Sequence, residues 1–128
     1  MPIKNLLILA ACTGALAIAL GAFGAHGLKS ILSPDALATW QTAVFYHLVH
    51  SVLLIGICLR LLVDDARRLF IAAYSLCGGI LLFSGSLYIL ALGGPRLFGP
   101  VTPIGGVLLI VGWLSIAAYA LRLPAPDR

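Results

Sequence analysis

The sequence predicts an all-α integral membrane protein, an antiparallel up-down four-helix bundle in one domain. Hydrophobic residues make up 62% of its 128 residues and charged residues only 9%, and the apolar residues form four long runs joined by short connections. Soluble domains carry about a quarter charged residues. A soluble chain this short buries only about two-thirds of its surface. The lipid bilayer must therefore supply the apolar surroundings, and it is the first expected partner.

Each apolar run is long enough to cross a hydrocarbon core of about 30 Å. The predicted helices cover residues 5–27, 34–63, 69–92 and 103–122. A cleaved signal peptide is the alternative for the first run, because Lys4 precedes it. The apolar part of a signal peptide is about 7–15 residues long. Since this run is longer, we expect a retained span.

Local signals predict where the helices begin and end. Ser33-Pro34 and Thr102-Pro103 each place a hydroxyl at an N-cap and a proline at the first helical position, an arrangement typical of helix starts. Glycines at 93 and 94 followed by a proline end the third span, because glycine adopts the left-handed C-cap and proline cannot continue a helix.

The regions outside the spans have simple interpretations. Residues 64–68, Asp-Asp-Ala-Arg-Arg, are predicted to form a short solvated turn. Trp40 is expected at the membrane interface, where its amphipathic ring is favoured. Pro124 and Pro126 mark a short disordered end.

The basic residues predict the orientation. Short connections make consecutive helices antiparallel, so an even number of spans puts both termini on one side. That side holds Lys4, Arg60, Arg67, Arg68, Arg122 and Arg128, and the opposite side holds Lys29 and Arg96. Because cytoplasmic loops carry an excess of Lys and Arg, we expect both termini in the cytoplasm.

Polar side chains concentrate toward the outer ends of the predicted helices. The candidate polar site comprises His26, Tyr46, His47, His50, Ser84, Ser86, Tyr88 and Thr102. Tyr46, His47 and His50 are three and four residues apart, so they share one side of the second helix. An ionisable residue at mid-span is a functional hypothesis. A neutral histidine also fits an interhelical hydrogen bond, and both interpretations stay open.

Small residues predict close helix packing. Ala17, Gly21 and Ala25 recur every four residues on the first helix, a pattern that lets backbones approach closely in lipid. The glycines assigned to helix packing are Gly21, Gly24, Gly85, Gly105 and Gly106. A ligand site lined by their backbone is the alternative.

Conventional chemistry is poorly supported. A metal site built on His26, His47 and His50 lacks a fourth ligand, and no haem-attachment motif is present. Cys12, Cys58 and Cys77 lie in apolar runs without metal-type spacing. We therefore expect no bound metal or cofactor.

Catalysis and nucleic-acid binding are also disfavoured. A serine–histidine pair, Ser84 or Ser86 with His50, has no carboxylate to orient the base. The basic residues do not form a stripe with aromatic platforms, so nucleic acid is not an expected partner. The chain is expected not to be an enzyme.

Four motifs, one on each helix, resemble a known family. They are GAFGAHGLK at 21–29, TAVFYHLVH at 42–50, SGSLY at 84–88 and TPIGG at 102–106. They resemble the signatures of the domain-of-unknown-function 423 family, also called uncharacterised protein family 0382, whose animal members are named transmembrane protein 256. The resemblance implies a small multi-pass protein, in bacteria of the cytoplasmic membrane, with no known reaction. The family often has glutamine, a poor metal ligand, at the position of His47, so His26 and His50 are the more informative pair.

The sequence as a whole favours a structural or accessory module with a small polar site in the outer leaflet half. Such a module would form a homo-oligomer or dock to a larger membrane complex. The alternative is a small transport, proton-relay or metal- or haem-binding protein that uses His26, Tyr46 and His50. A transport pathway needs polar groups across both leaflets, whereas here they stop near mid-span.

Overall fold

Four long helical spans account for most of the computed structural model, which describes residues 1–124. The elements are α1 (Ile3–His26), α2 (Pro34–Leu61), α3 (Arg67–Gly79), a π-helical segment (Ile80–Ser84), α4 (Gly85–Ala91), a 3-10 turn (Arg96–Phe98) and α5 (Val101–Ala120). The π segment joins α3 and α4 into one span, and all four spans are long and apolar enough to cross a membrane. The predicted all-helical four-span bundle is confirmed. Pro126 and Arg128, used in the sequence predictions, lie outside the described residues.

The first helix-start signal operates as predicted and the second does not. Ser33 is the N-cap of α2 and accepts a hydrogen bond from the Ala36 amide at 3.2 Å, with Pro34 in the first turn. In contrast, α5 begins at Val101 with Pro100 at the N-cap. The prediction of Thr102 as an N-cap is wrong, because its hydroxyl lies 2.6 Å from the Ser86 hydroxyl and is used in that contact.

The third span ends on a left-handed glycine. Gly93 has a φ of 80°, a conformation that side chains with a Cβ rarely adopt. The Gly94 amide then donates to the Ile89 carbonyl at 2.8 Å, which satisfies one of the free carbonyls at the helix end. The predicted glycine C-cap is confirmed.

Two helices form the centre of the bundle and two lie outside. α1 packs mainly on α2, α5 packs mainly on α3 and the π segment, and α2 packs on the third span. Only 17% of the residues in the apolar windows of the first and fourth spans are buried, against 39% and 44% in the second and third. The outer spans therefore present most of their surface to lipid.

Two apolar clusters fill the bundle. We call the end where α1 begins and α5 ends the base, and the opposite end the top. The base cluster includes Leu6, Ala10, Leu54, Ile57, Cys58, Leu61, Leu69, Ala72, Ala73, Leu76, Ile80 and Leu109. The top cluster is smaller and consists of Leu28, Trp40 and Ala91. Since lipid is as apolar as these side chains, close packing rather than burial from water holds them together.

Trp40 belongs to the top cluster. Its side chain is only 3% exposed, and its indole N–H donates to the Leu20 carbonyl at 2.9 Å. A Cβ on Gly24 would lie 2.6 Å from the Trp40 ring. Trp40 is therefore packed inside the bundle, because the glycine opens a place for the ring between α1 and α2.

Candidate functional site

A layer of polar side chains crosses the bundle between the two apolar clusters. We define this polar layer as Thr13, His47, His50, Ser51, Ser84, Tyr88 and Trp113, contributed by all four spans. His47 and His50 lie near the middle of the 28-residue α2. The expected polar outer half is thus a mid-bundle layer, because the top is closed by Leu28, Trp40 and Ala91.

His50 connects α2 to α5. Its Nδ1 lies 2.6 Å from the Tyr46 carbonyl oxygen, and the Trp113 indole N–H donates to its Nε2 at 3.2 Å. A carbonyl only accepts and an indole N–H only donates. The ring must therefore carry its proton on Nδ1 and use Nε2 as an acceptor. Tyr46 stacks on the same ring with 5.8 Å between centroids, so both ring nitrogens of His50 are used inside the protein.

His47 faces a different neighbour. Its Nδ1 lies 3.1 Å from the Tyr88 hydroxyl on α4, and the side chain is 4% exposed. Their spacing predicts that His47 and His50 share one side of α2. Three residues correspond to about 300° of helical rotation, so the two rings point about 60° apart. That angle is enough for His47 to meet α4 while His50 meets α5.

Hydroxyl groups complete the polar layer. The Ser51 hydroxyl donates to the His47 carbonyl at 2.8 Å and lies 3.2 Å from the Thr13 hydroxyl on α1. The Ser84 hydroxyl donates across helices to the Ala43 carbonyl at 2.8 Å. Because Ser84 uses its proton on a carbonyl, it does not form the serine–histidine pair considered from the sequence.

Two groups of predicted site residues lie away from the polar layer. His26 is exposed at the end of α1. Ser86 and Thr102 form their hydrogen bond between α4 and α5, and Ser86 also donates to the Phe83 carbonyl at 3.0 Å. Among residues 1–124, no group of three His, Cys, Asp or Glu side chains could hold a metal ion. The eight candidate residues do not form one site.

Three members of the polar layer and one cluster at the base were not predicted from the sequence. Thr13, Ser51 and Trp113 carry no spacing signal that links them to the histidines. At the base, the Tyr119 hydroxyl donates to Asp64 at 2.6 Å, and Arg60 contacts both residues. The four-residue spacing of Arg60 and Asp64 could have indicated this ion pair.

The glycines differ in what surrounds them. A Cβ on Gly105 would collide with the Phe83 backbone, and one on Gly21 would lie 3.1 Å from Val44. On Gly106 it would make only ordinary contact with the Phe83 ring, at 3.6 Å. A Cβ on Gly85 would meet nothing within 4 Å, so the assignment of Gly85 to close packing is wrong. The small-residue face predicted on α1 is only partly packed against other helices, since Ala17 is buried whereas Ala25 is exposed.

A groove opens beside the polar layer. It has a volume of about 240 Å³ and lies between α1 and the third span, over α2. Leucines of α1 and residues of the π segment form its sides, and His47, Ser84 and Tyr88 contribute the polar part of its lining. Gly85 also lines this groove.

Comparison with known proteins identifies the family. Residues 20–106 match the family described as protein of unknown function (DUF423). A UPF0382 membrane protein of Staphylococcus saprophyticus is 43% identical over 122 residues, covering 94% of this chain and 99% of that protein. YwdK of Bacillus subtilis, a UPF0382 membrane protein, is 38% identical over 93% of this chain and 98% of its own length. YgdD of Escherichia coli, a UPF0382 inner membrane protein, is 37% identical over 96% and 94%.

No solved structure matches the chain. The match extends over nearly the whole length of these relatives, which are named membrane proteins, and the Escherichia coli relative is named an inner membrane protein. The resemblance drawn from the four motifs is confirmed. The chain belongs to the DUF423 family, also called UPF0382, and is a multi-pass protein of the bacterial cytoplasmic membrane.

Proposed function

We propose that this protein is a non-enzymatic accessory module that acts by contact with other membrane components. One observation carries the proposal: its interior polar groups bind one another. Among residues 1–124, every fully buried side-chain nitrogen and oxygen has a hydrogen-bond partner. The polar layer lies between two apolar clusters. Such an interior holds helices together and leaves the lipid-facing surface for interaction, either with a second copy or with a larger membrane complex.

The acidic residues support a role without catalysis. The chain has four. Asp35 lies in the first turn of α2 and Asp64 and Asp65 lie beyond its end, while Asp127 is outside the described residues. General acid–base catalysis uses a titratable group within hydrogen-bond reach of the reacting atoms. No carboxylate among the described residues lies in the polar layer, and His50 already binds Trp113.

The distribution of polar groups supports a role without transport. A permeation path is lined by polar groups or water along its whole length. Here Trp40 and Leu28 fill the bundle above the polar layer, and Leu54, Leu61 and Leu76 fill it below. The alternative built on His26, Tyr46 and His50 also lacks support, because His26 is exposed at the end of α1.

The charges support termini in the cytoplasm. The basic residues at or near the helix ends of the base are Lys4, Arg60, Arg67, Arg68 and Arg122, and those at the top are Lys29 and Arg96. An excess of basic residues marks the cytoplasmic side. The base therefore faces the cytoplasm in this proposal, and one-sided chemical labelling of a loop tests it.

Reconstitution tests the proposed function. We expect vesicles containing the purified protein to pass protons and monovalent ions no faster than protein-free vesicles. We also expect crosslinking in native membranes to give a discrete species larger than the 13.4 kDa chain. A flux that His50→Gln abolishes, a haem absorption band or a stoichiometric metal would contradict the proposal. A chain that remains monomeric in native membranes would also contradict it.

A further inference from the structure

The groove between α1 and the third span has the volume and lining of a ligand site, which the accessory role does not require. We propose that it binds one neutral lipophilic molecule through a carbonyl oxygen, a ligand of the isoprenoid quinone class. The groove is about 240 Å³ in volume, and half of its twelve lining residues are leucine or isoleucine. Neither lysine nor arginine lines it. This lining suits an uncharged molecule, because an unpaired charge at this depth is costly.

The hydrogen-bond count of His47 and Tyr88 indicates what the ligand must offer. The two side chains share one contact, 3.1 Å from Nδ1 to the hydroxyl oxygen, and neither side chain has another partner among the described residues. If the Tyr88 hydroxyl donates to Nδ1, the proton on Nε2 has no acceptor. If Nδ1 donates instead, the Tyr88 hydroxyl proton has none. With either tautomer, one donor of the pair is left free.

That free donor lies beside a largely apolar groove near the middle of the span. His47 is 4% exposed, and both His47 and Tyr88 line the groove. An unsatisfied donor in such surroundings costs about 1–3 kcal/mol. The other members of the polar layer use their protons inside the bundle, as Ser84 does on the Ala43 carbonyl. A ligand with a hydrogen-bond acceptor would satisfy the donor that His47 and Tyr88 leave free.

The depth of His47 in the membrane distinguishes the molecules that could supply that acceptor. His47 lies near the middle of α2, about 20 Å from either end at 1.5 Å per residue. The ester carbonyls of phospholipids lie at the edge of a core about 30 Å thick, roughly 15 Å from the midplane. A phospholipid ester in its normal position does not reach His47. A molecule that dissolves in the hydrocarbon core and carries a carbonyl on an apolar body can reach His47.

Gly85 provides a way to close the groove without disturbing the fold. It lies in the groove lining at the start of α4, and a Cβ there meets nothing within 4 Å. Leucine is also a better helix former than glycine. Gly85→Leu is therefore expected to fold and to fill the groove. Gly56→Leu is the matched control, because Gly56 is exposed on α2, has the same open surroundings and is not part of the groove.

Ligand-dependent thermal stability tests the proposal, because a ligand that binds only the folded state raises Tm. The probes are a short-chain isoprenoid benzoquinone, an isoprenoid hydrocarbon of the same length without carbonyls, and a short-chain phosphatidylcholine. We expect the quinone to raise the Tm of the wild type and of Gly56→Leu in a saturable way and to leave Gly85→Leu unchanged. In the double variant His47→Leu/Tyr88→Phe, the quinone Kd should rise about tenfold.

Four results would overturn the proposal. They are no saturable response of the wild type to the quinone, an equal response to the hydrocarbon, an equal response to phosphatidylcholine, and a Gly85→Leu response like that of the wild type. If the double variant does not fold, the comparison of Gly85→Leu with Gly56→Leu still decides the question. The accessory role is tested separately by flux and crosslinking, so either proposal can fail alone.

Discussion

Each histidine in the middle of α2 has its role determined by the helix that it meets. His50 receives the Trp113 N–H and gives its own proton to the Tyr46 carbonyl, so its bonding is complete within the protein. His47 shares a single contact with Tyr88, which leaves capacity for a ligand. The same residue type therefore connects two helices at position 50 and lines a groove at position 47.

Replacing His50 should weaken the bundle. In His50→Ala the Trp113 N–H loses its acceptor, and an unpaired donor in lipid costs about 1–3 kcal/mol. We expect a fall of that size in the free energy of unfolding measured by denaturing-detergent titration. The matched control is His26→Ala, which removes an exposed ring and should change stability by less than about 0.5 kcal/mol.

A double-mutant cycle with Trp113→Phe isolates the His50–Trp113 contact. Hydrogen bonds between membrane helices contribute about 0.6 kcal/mol on average and up to about 1.7. We expect a coupling energy within that range. Additive effects of the two substitutions, or equal effects of His50→Ala and His26→Ala, would show that the contact does not stabilise the protein.

The sequence indicates that His50 needs a partner but does not identify it. A titratable residue at mid-span must be satisfied in lipid, and this follows from position alone. Trp113 is 63 residues away, so the pairing depends on how α5 packs. The same limit explains why Thr13 and Ser51 were missed, since a hydroxyl on an apolar helix is equally compatible with bonding to its own backbone.

At the scale of elements, the π segment brings the third span close to α5. The Gly85 amide donates to the Ile80 carbonyl as the helix returns to α geometry. Gly105 lies directly against the Phe83 backbone of this segment. In lipid, such close backbone contact gains dispersion energy that bulkier side chains would prevent.

Adjacent glycines on α5 provide a matched test of this contact. Gly105→Ala forces a methyl group into the Phe83 backbone, and overpacking of this kind costs about 1–3 kcal/mol. Gly106→Ala meets only the edge of the Phe83 ring, at 3.6 Å, and should gain up to about 1 kcal/mol from helix propensity. We expect opposite shifts in Tm in detergent. Equal shifts for the two variants would contradict the packing described for α5.

Small-residue patterns predict close packing but not which glycine makes it. Gly105 and Gly106 are indistinguishable in sequence, and Gly85 resembles both. Only the register between helices decides that Gly105 meets a backbone while Gly85 faces open space. Gly79 and Gly112, which accommodate Leu109 and Leu76, were missed for the same reason.

At the scale of the whole molecule, the number and apolar character of the spans follow from composition and run length, and capping residues give the start of α2 and the end of the third span. The order of base cluster, polar layer and top cluster along the bundle does not follow from these sequence features. It depends on which faces of four helices meet, because Trp40 turns inward to close the top and Trp113 reaches across to α2.

Labelling of a loop thiol tests the proposed orientation. Asp65 is exposed between α2 and α3 at the base. In a variant with Cys12, Cys58 and Cys77 replaced by alanine, Asp65→Cys should react with a membrane-impermeant maleimide in inverted membrane vesicles and not in intact cells. Reaction in intact cells would show that the base faces outward and would contradict the proposed orientation.

Labelling of the polar layer tests whether this layer, between the two apolar clusters, is closed to water. Ser84→Cys in the same cysteine-free background places a thiol where the side chain is 1% exposed, and Asp65→Cys is the accessible control. We predict that a water-soluble, membrane-impermeant maleimide does not modify Ser84→Cys in intact cells or in inverted vesicles, and modifies it fully after unfolding in SDS. Rapid modification from either side of the folded protein would reveal a water-filled path to the polar layer and would contradict a layer that is closed to water.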